Sequence, residues 1–239
     1  MCPPISGAAA AASAPSSSNR AGTDERALEH IPNDDLSRNV YSYAANNLHP
    51  LILAHSLRVY LFAKALAERE HSDWATPDRL PLLFTACICH DMGTCASHDG
   101  PQRFEVEGGD AAVSLLTHHG GNVSEQDKHE VWVAIALHTS RGIAERISLL
   151  ARLVRLAVGM DFKLSAAMPL TTAEEVQRFE GLFPRGEIEK VLGDAVTDQV
   201  LGKPDDEGRG VKAPGASWPG DLVRGKAENP DWEGVNKAF

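Results

Sequence analysis

The sequence predicts an all-α fold, and three observations carry that expectation. No stretch alternates Val, Ile or Thr with polar residues over a useful length, as a half-buried strand would. Apolar residues recur instead at intervals of three and four, the period of a helix with one buried face. Residues that start and stop helices stand at the ends of these periodic runs.

Taken in order, Asp34 or Asp35 opens a first helix through Asp35 to Leu48. Pro50 follows where a first helical turn accepts proline, and the run Leu51 to Glu70 is apolar nearly all round in its first half, as in a central helix. "HSDWATPD" connects it to a second apolar helix, Leu80 to Asp91, which Gly93 is expected to stop. A loop carrying Gly100-Pro101 comes next. Helices are then expected over Glu107 to His118, Ser124 to Thr139 (Ser124 as N-cap) and Arg146 to Phe162. "TTAEEVQRFEGLF" and "RGEIEKVLGDAVTDQVL" are two further amphipathic helices, and beyond Gly202 the composition turns to glycine, proline and charge. The expected organisation is a disordered low-complexity tail over 1–23, a helical metal-binding domain over 24–202 and an irregular C-terminal extension over 203–239. Trp218 and Trp232 suggest that the extension lies on the domain surface.

Composition removes several classes of function. With 239 residues, 43% of them hydrophobic, the chain can bury one sizeable core. A formal net charge of -10 opposes nucleic-acid wrapping or adsorption to anionic lipid, so neither nucleic acid nor membrane is expected as a partner. No run reads as a bilayer span, and the N-terminus lacks a basic segment followed by a bulky apolar one, so it does not read as a secretory signal. Cys87 and Cys89 form C-x-C and not C-x-x-C; together with Cys2 and Cys95 they read as free thiols of a reducing compartment, and the cytoplasm is expected. The amphipathic C-terminal helices could pack on a second copy, so a homo-oligomer is admissible.

Chemistry concentrates in "ACICHDMGT", where a histidine directly precedes an aspartate at the end of an apolar run. The two apolar helices flanking the short connection should pack antiparallel, which brings the start of one beside the finish of the other. His55, His90 and Asp91 then converge at one end of the pair. At a helix terminus the backbone leaves ideal geometry, so Asp91 can turn toward the point that His90 faces. Two imidazoles and a carboxylate suit a divalent metal: zinc first, with iron, manganese, cobalt or nickel also admissible. Asp161, another lone acid at the end of an apolar helix, is the candidate fourth ligand. Singly, each has a plainer reading: a hydrogen-bonded core histidine, a polar helix end, or, for Asp161, an ion pair with Arg58 or Arg155.

In combination, "HSLRV" at His55, "CHDMG" at His90-Asp91 and the later Asp161 resemble the HD-domain superfamily of helical metal-dependent enzymes, over roughly Leu48 to Phe162. That resemblance implies His55, His90, Asp91 and Asp161 as metal ligands. "HSLRV", "HDMGT" and "RFEVEGGDAA" further resemble the cyanamide hydratase-like branch. Many HD phosphohydrolases carry lysine where this chain has Thr94, and its absence favours a neutral small-molecule substrate.

The expected activity is therefore hydration of a small nitrile-like molecule such as cyanamide, giving urea. Asp91 and His138 are the catalytic candidates, His138 as a proton shuttle, although a simple hairpin would leave His138 far from Asp161. Thr94, Arg103, Phe104, Glu107 and Thr139 are the candidate substrate contacts, with Arg103, Phe104 and Glu107 as a lid. A phosphohydrolase using Arg58, Arg103 and Arg141 is the alternative. A diiron oxygenase would need further histidines such as His118 and His119. A helical binding module with a structural metal is disfavoured, because such sites are usually closed by Cys and His ligands.

Overall fold

The computed structural model describes residues 27–239. The expected tail over 1–23, with Cys2, lies outside the described residues. Among those residues the fold is helical, without a strand. In chain order the helices are α1 (Asp35–Asn47), α2 (Pro50–Arg69), α3 (Leu80–Cys89), α4 (Phe104–His119), α5 (Glu125–Ala136), α6 (Ala144–Ile147), α7 (Leu149–Asp161), α8 (Ala173–Leu182), α9 (Ile188–Leu201), α10 (Asp206–Lys212) and α11 (Trp218–Glu228).

The starts follow from local chemistry. Asp34 caps α1 by accepting from the Ser37 amide at 2.9 Å, and Ser124 and Ser148 do the same for α5 and α7 at 3.1 Å each. Thr172 and Glu175 form a capping box at the head of α8. Pro50 occupies the first turn of α2, where its missing N–H costs nothing.

α2 is the central helix. Every residue from Ile52 to Ala63 is buried, and it packs on α3 and α7. By length and composition α2 could match a membrane span, contrary to the sequence expectation of no such run. Its apolar girth is instead covered by the neighbouring helices, with 72% of that stretch buried inside the fold. Aromatic pairs seal the packing: Tyr60 meets Phe84 edge-on at 5.0 Å, and Phe62 meets Phe179 at 4.9 Å.

α3 ends at Cys89, and Asp91 at φ -104°, ψ 10° has already left helical geometry before a 3-10 turn over Met92–Thr94. α4 and α9 both pack on this turn. Gly93 serves closeness here and does not act as a left-handed stop. A Cβ at this position would stand 1.9 Å from the Phe104 carbonyl oxygen, and the glycines with positive φ among the described residues are Gly121, Gly142 and Gly186. The Gly93 carbonyl accepts from Gln199 Nε2 of α9 at 2.9 Å.

Three elements differ from expectation. The single helix expected over Arg146 to Phe162 is broken at the extended Ser148 into α6 and α7, because Ser148 caps α7. α4 starts at Phe104, not Glu107, so Arg103 is its N-cap and Phe104 is buried in its first turn. The extension expected to be irregular carries α10 and α11, started by Asp205 and Ser217 as N-caps, and α11 packs on α9.

Candidate metal centre and its cavity

His55 sits one turn into α2, and His90 and Asp91 close α3; the antiparallel crossing brings them together. His55 Nε2 and His90 Nε2 are 3.1 Å apart. Asp91 Oδ2 lies 3.1 Å from His90 Nε2 and 3.6 Å from His55 Nε2. One ligand atom from each of the three lies within 4.8 Å of the others, and all three residues are buried.

Each imidazole is fixed by its other nitrogen. His90 Nδ1 donates to the Cys87 carbonyl at 2.7 Å, and His138 Nδ1 to the Ile135 carbonyl at 2.7 Å. His55 Nδ1 meets Asp161 Oδ2 at 2.6 Å. In a neutral ring, a proton held at Nδ1 leaves Nε2 able to bind a metal.

Asp161 stands outside the three-residue group, on the far edge of the His55 ring. Arg58, one turn after His55 and fully buried, takes both its oxygens: Nε donates to Oδ1 at 2.6 Å and Nη2 to Oδ2 at 2.8 Å. Arg58 Nη1 goes on to the Phe183 carbonyl at 2.9 Å. The expected fourth ligand is thus occupied in orienting His55, because its charge already has an arginine partner. Arg155, the other arginine considered for it, pairs with Glu145 at 3.4 Å.

The electrostatics follow from this pairing. Burial alone would raise the Asp161 carboxyl, but hydrogen bonds from Arg58 and His55 hold it well below the usual carboxylate range. Burial lowers His55. Burial would also lower His90, but the Asp91 charge outweighs it and His90 is raised. Asp91 is the reverse: burial opposes its charge, His90 favours it, and it falls to about 2. Arg58 neutralises Asp161, whereas Asp91 has imidazoles alone around it.

The residues fit a cation. Asp91 Oδ2 is buried and makes no hydrogen bond, a cost that polar groups rarely bear unless something else binds them. The Nε2 atoms of three imidazoles stand around that oxygen and its twin. His138 contributes the third, 3.7 Å from Asp91 Oδ1, with its ring 4.9 Å from that of His90. His138 meets the group at the His90 ring, and Asp161 meets it at His55 Nδ1. Burial and the neighbouring His90 charge lower His138 to about 3, so it is neutral.

A cavity of about 600 Å³ opens from His55, His90, Asp91 and His138. Arg103 and Thr139, two of the candidate substrate contacts, line it. Thr94, Phe104 and Glu107 do not. The Thr94 hydroxyl donates to the Asp91 carbonyl at 2.7 Å, Phe104 is buried beside His138 and Trp218, and Glu107 accepts from the Gln102 amide at 2.8 Å. Of the lid expected from Arg103, Phe104 and Glu107, Arg103 alone lines the cavity. His118 is exposed, its Nδ1 bonded to the Ser114 carbonyl at 2.7 Å, and among the described residues no second candidate metal group appears.

Sequence reasoning missed Glu105. It is fully buried, accepts from Thr139 Oγ1 at 2.6 Å and from Arg103 Nη2 at 2.6 Å, and so fixes both cavity residues. Its place two residues after the Arg103 N-cap became visible only with the true start of α4. Phe162 and the extension's Trp218 and Phe239 also line the cavity.

Comparison with known proteins agrees with this geometry. Residues 52–157 match the family model of the HD domain. The chain carries an HD domain. It is also 28% identical over 163 residues to two proteins of Saccharomyces cerevisiae, cyanamide hydratase DDI2 and cyanamide hydratase DDI3, covering 67% of this chain and 70% of each relative. The HD domain contains His55, His90, Asp91 and His138 and ends before Asp161 and the aromatic wall of the cavity.

Proposed function

We propose that this HD domain protein is a metal-dependent hydratase that adds water across the carbon–nitrogen triple bond of a small nitrile-type substrate such as cyanamide, giving urea. The observation that carries the reading is the buried, hydrogen-bond-free Oδ2 of Asp91, facing the Nε2 atoms of His55 and His90 in a cavity that His138 also lines. Likeness to two cyanamide hydratases supports the choice of reaction.

In this reading His55, His90 and Asp91 hold the ion, and a nitrogen and oxygen shell favours zinc among the divalent metals. A bound divalent ion supplies Lewis acidity, polarising the nitrile and acidifying water. His55 is kept in register by Asp161 and Arg58. His138, neutral and with a free Nε2, accepts the proton of the attacking water and returns it to the nitrile nitrogen. Glu105 holds Arg103 and Thr139 at the cavity wall, so that neither has to be ordered when substrate enters. Free, buried Cys87, Cys89 and Cys95 fit a reducing compartment such as the cytoplasm.

The test is urea release from cyanamide by the zinc-loaded protein, lost on metal stripping and regained on reloading. Release of phosphate from nucleotides without nitrile turnover would instead select a phosphohydrolase. Of the three arginines considered for that alternative, Arg58 is held by Asp161 and Arg103 by Glu105, which leaves Arg141 alone for a phosphate.

A further inference from the structure

The cavity is far larger than cyanamide needs. A water-sized group takes about 30 Å³, so three heavy atoms fill on the order of 90 Å³. Against about 600 Å³, most of the space above His90 and Asp91 would hold solvent. That volume lies in the range of pockets built for larger organic ligands.

The lining combines aromatic and cationic residues. An aromatic surface begins at the metal centre, where the Phe162 ring lies 4.5 Å from that of His55. Phe239 continues it, 4.9 Å from Phe162, and Trp218 follows at 5.5 Å from Phe239. Flat apolar bodies suit such a wall. Arg103, Arg141 and Arg155 also line the cavity. Arg103 is paired with Glu105 at 2.6 Å and Arg155 with Glu145 at 3.4 Å. Asp221, an acid of the same lining, is paired with Arg224. The exposed guanidinium of Arg141 has no carboxylate or hydrogen-bond partner among the described residues, so the lining holds one uncompensated cation.

Resting on the hydratase reading, we propose that the preferred substrate is a nitrile-type molecule larger than cyanamide, with a flat apolar body along Phe162, Phe239 and Trp218 and a carboxylate bound by Arg141. The reaction is R–C≡N + H₂O → R–C(=O)NH₂. A C–O bond forms, one C–N π bond is lost at each of two steps of addition and tautomerisation, and both protons of the water end on the amide.

The experiment compares phenylcyanamide with 4-carboxyphenylcyanamide on the zinc-loaded full chain, for the wild type, Arg141→Ala and Arg141→Lys. A charge-assisted contact predicts a kcat/KM at least about tenfold higher for the carboxylate probe in the wild type. That ratio falls to about one in Arg141→Ala and is partly kept in Arg141→Lys. Arg141 is exposed, so its loss should not threaten folding. Equal rates on the two probes in the wild type, or a ratio unmoved by Arg141→Ala, overturns the anion subsite. Turnover of cyanamide with refusal of both aryl probes overturns the larger substrate while leaving the hydratase reading intact. Calorimetric binding of 4-carboxyphenylurea against phenylurea asks the same of Arg141 without turnover. An Arg141-dependent preference there, with no nitrile hydrated, keeps the subsite and removes the hydratase reading; no preference in either assay removes the subsite.

Discussion

At the scale of single residues, the decisive pair is Arg58 and Asp161. Both are buried and joined through two oxygens, and their product is a fixed His55 ring. Asp161→Asn keeps the shape but removes the charge that holds the imidazole proton at Nδ1. Zinc affinity, measured by chelator competition, should fall about 10- to 100-fold, the usual effect of losing a partner behind a metal-binding histidine. Unchanged affinity would show that Asp161 does not orient His55. The sequence made Asp161 legible as a charged group needing a partner, and Arg58 as one candidate for it. It could not separate ligand from orienting group, because both readings place the carboxylate beside His55 and only the side-chain direction distinguishes them. The cysteines give a second residue-scale expectation. Burial raises the Cys87 thiol strongly and Cys89 to about 12, so neither supplies thiolate near neutrality. Iodoacetamide at pH 8 should leave both unlabelled in the native protein and label both in urea, as read by peptide mapping. Labelling under native conditions would mean that α3 opens.

At the scale of elements, the site depends on how closely α4 presses on the turn after α3. A Cβ on Gly108 would stand 2.9 Å from the Cys89 carbonyl oxygen and 3.3 Å from the His90 oxygen, and one on Gly93 would meet the Phe104 backbone. Gly93→Ala therefore forces backbone apart and should cost about 1–3 kcal/mol. That lowers Tm by roughly 2–10 °C for a domain of this size and weakens zinc binding with it. A variant with wild-type Tm would remove the close-packing account. The acidic clip on the extension is a second element-scale device. The nearly buried Lys212 donates to Asp99 Oδ1 at 2.9 Å, and Lys203 reaches the same oxygen at 3.0 Å. Burial alone would raise Asp99, but these two lysines hold it below its ordinary value. Its stabilisation is complete above the unfolded carboxyl pKa of about 3.9 and is lost as pH falls through the lower folded value. Hydrogen exchange over 203–212 should stay slow at pH 5 and rise at pH 3 ahead of α2. Simultaneous exposure of both would sink the clip. Helices with visible caps, α1, α5 and α8, were legible at their starts, although α5 stops at Ala136, short of the expected Thr139. The start of α4 was not, because Arg103 supplies no side-chain cap and follows a Gly-Pro loop. α10 and α11 were hidden by a glycine-rich, charged composition, although Asp205 and Ser217 marked their starts.

At the scale of the molecule, the same centre should set both activity and stability. The fold gathers His55 from α2, His90 and Asp91 from the end of α3, and His138 from just beyond α5, so an ion bound there ties together the helices that make up the core. Without it, Asp91 Oδ2 stays buried and without a hydrogen bond, a cost charged to the whole native state. An ion that binds only the folded chain stabilises by about 2.7 kcal/mol at a hundredfold excess over its Kd. For a domain of this length that corresponds to a rise in Tm of roughly 5–10 °C. Calorimetric melting of the chelator-treated protein, with and without zinc, should show that rise. His90→Ala should abolish the zinc-dependent increment whatever its own Tm. His118→Ala, which alters an exposed histidine away from the centre, should keep it in full. If zinc shifts the melting of His90→Ala as much as that of the wild type, the ion binds elsewhere, and the buried group at the end of α3 is not the metal centre.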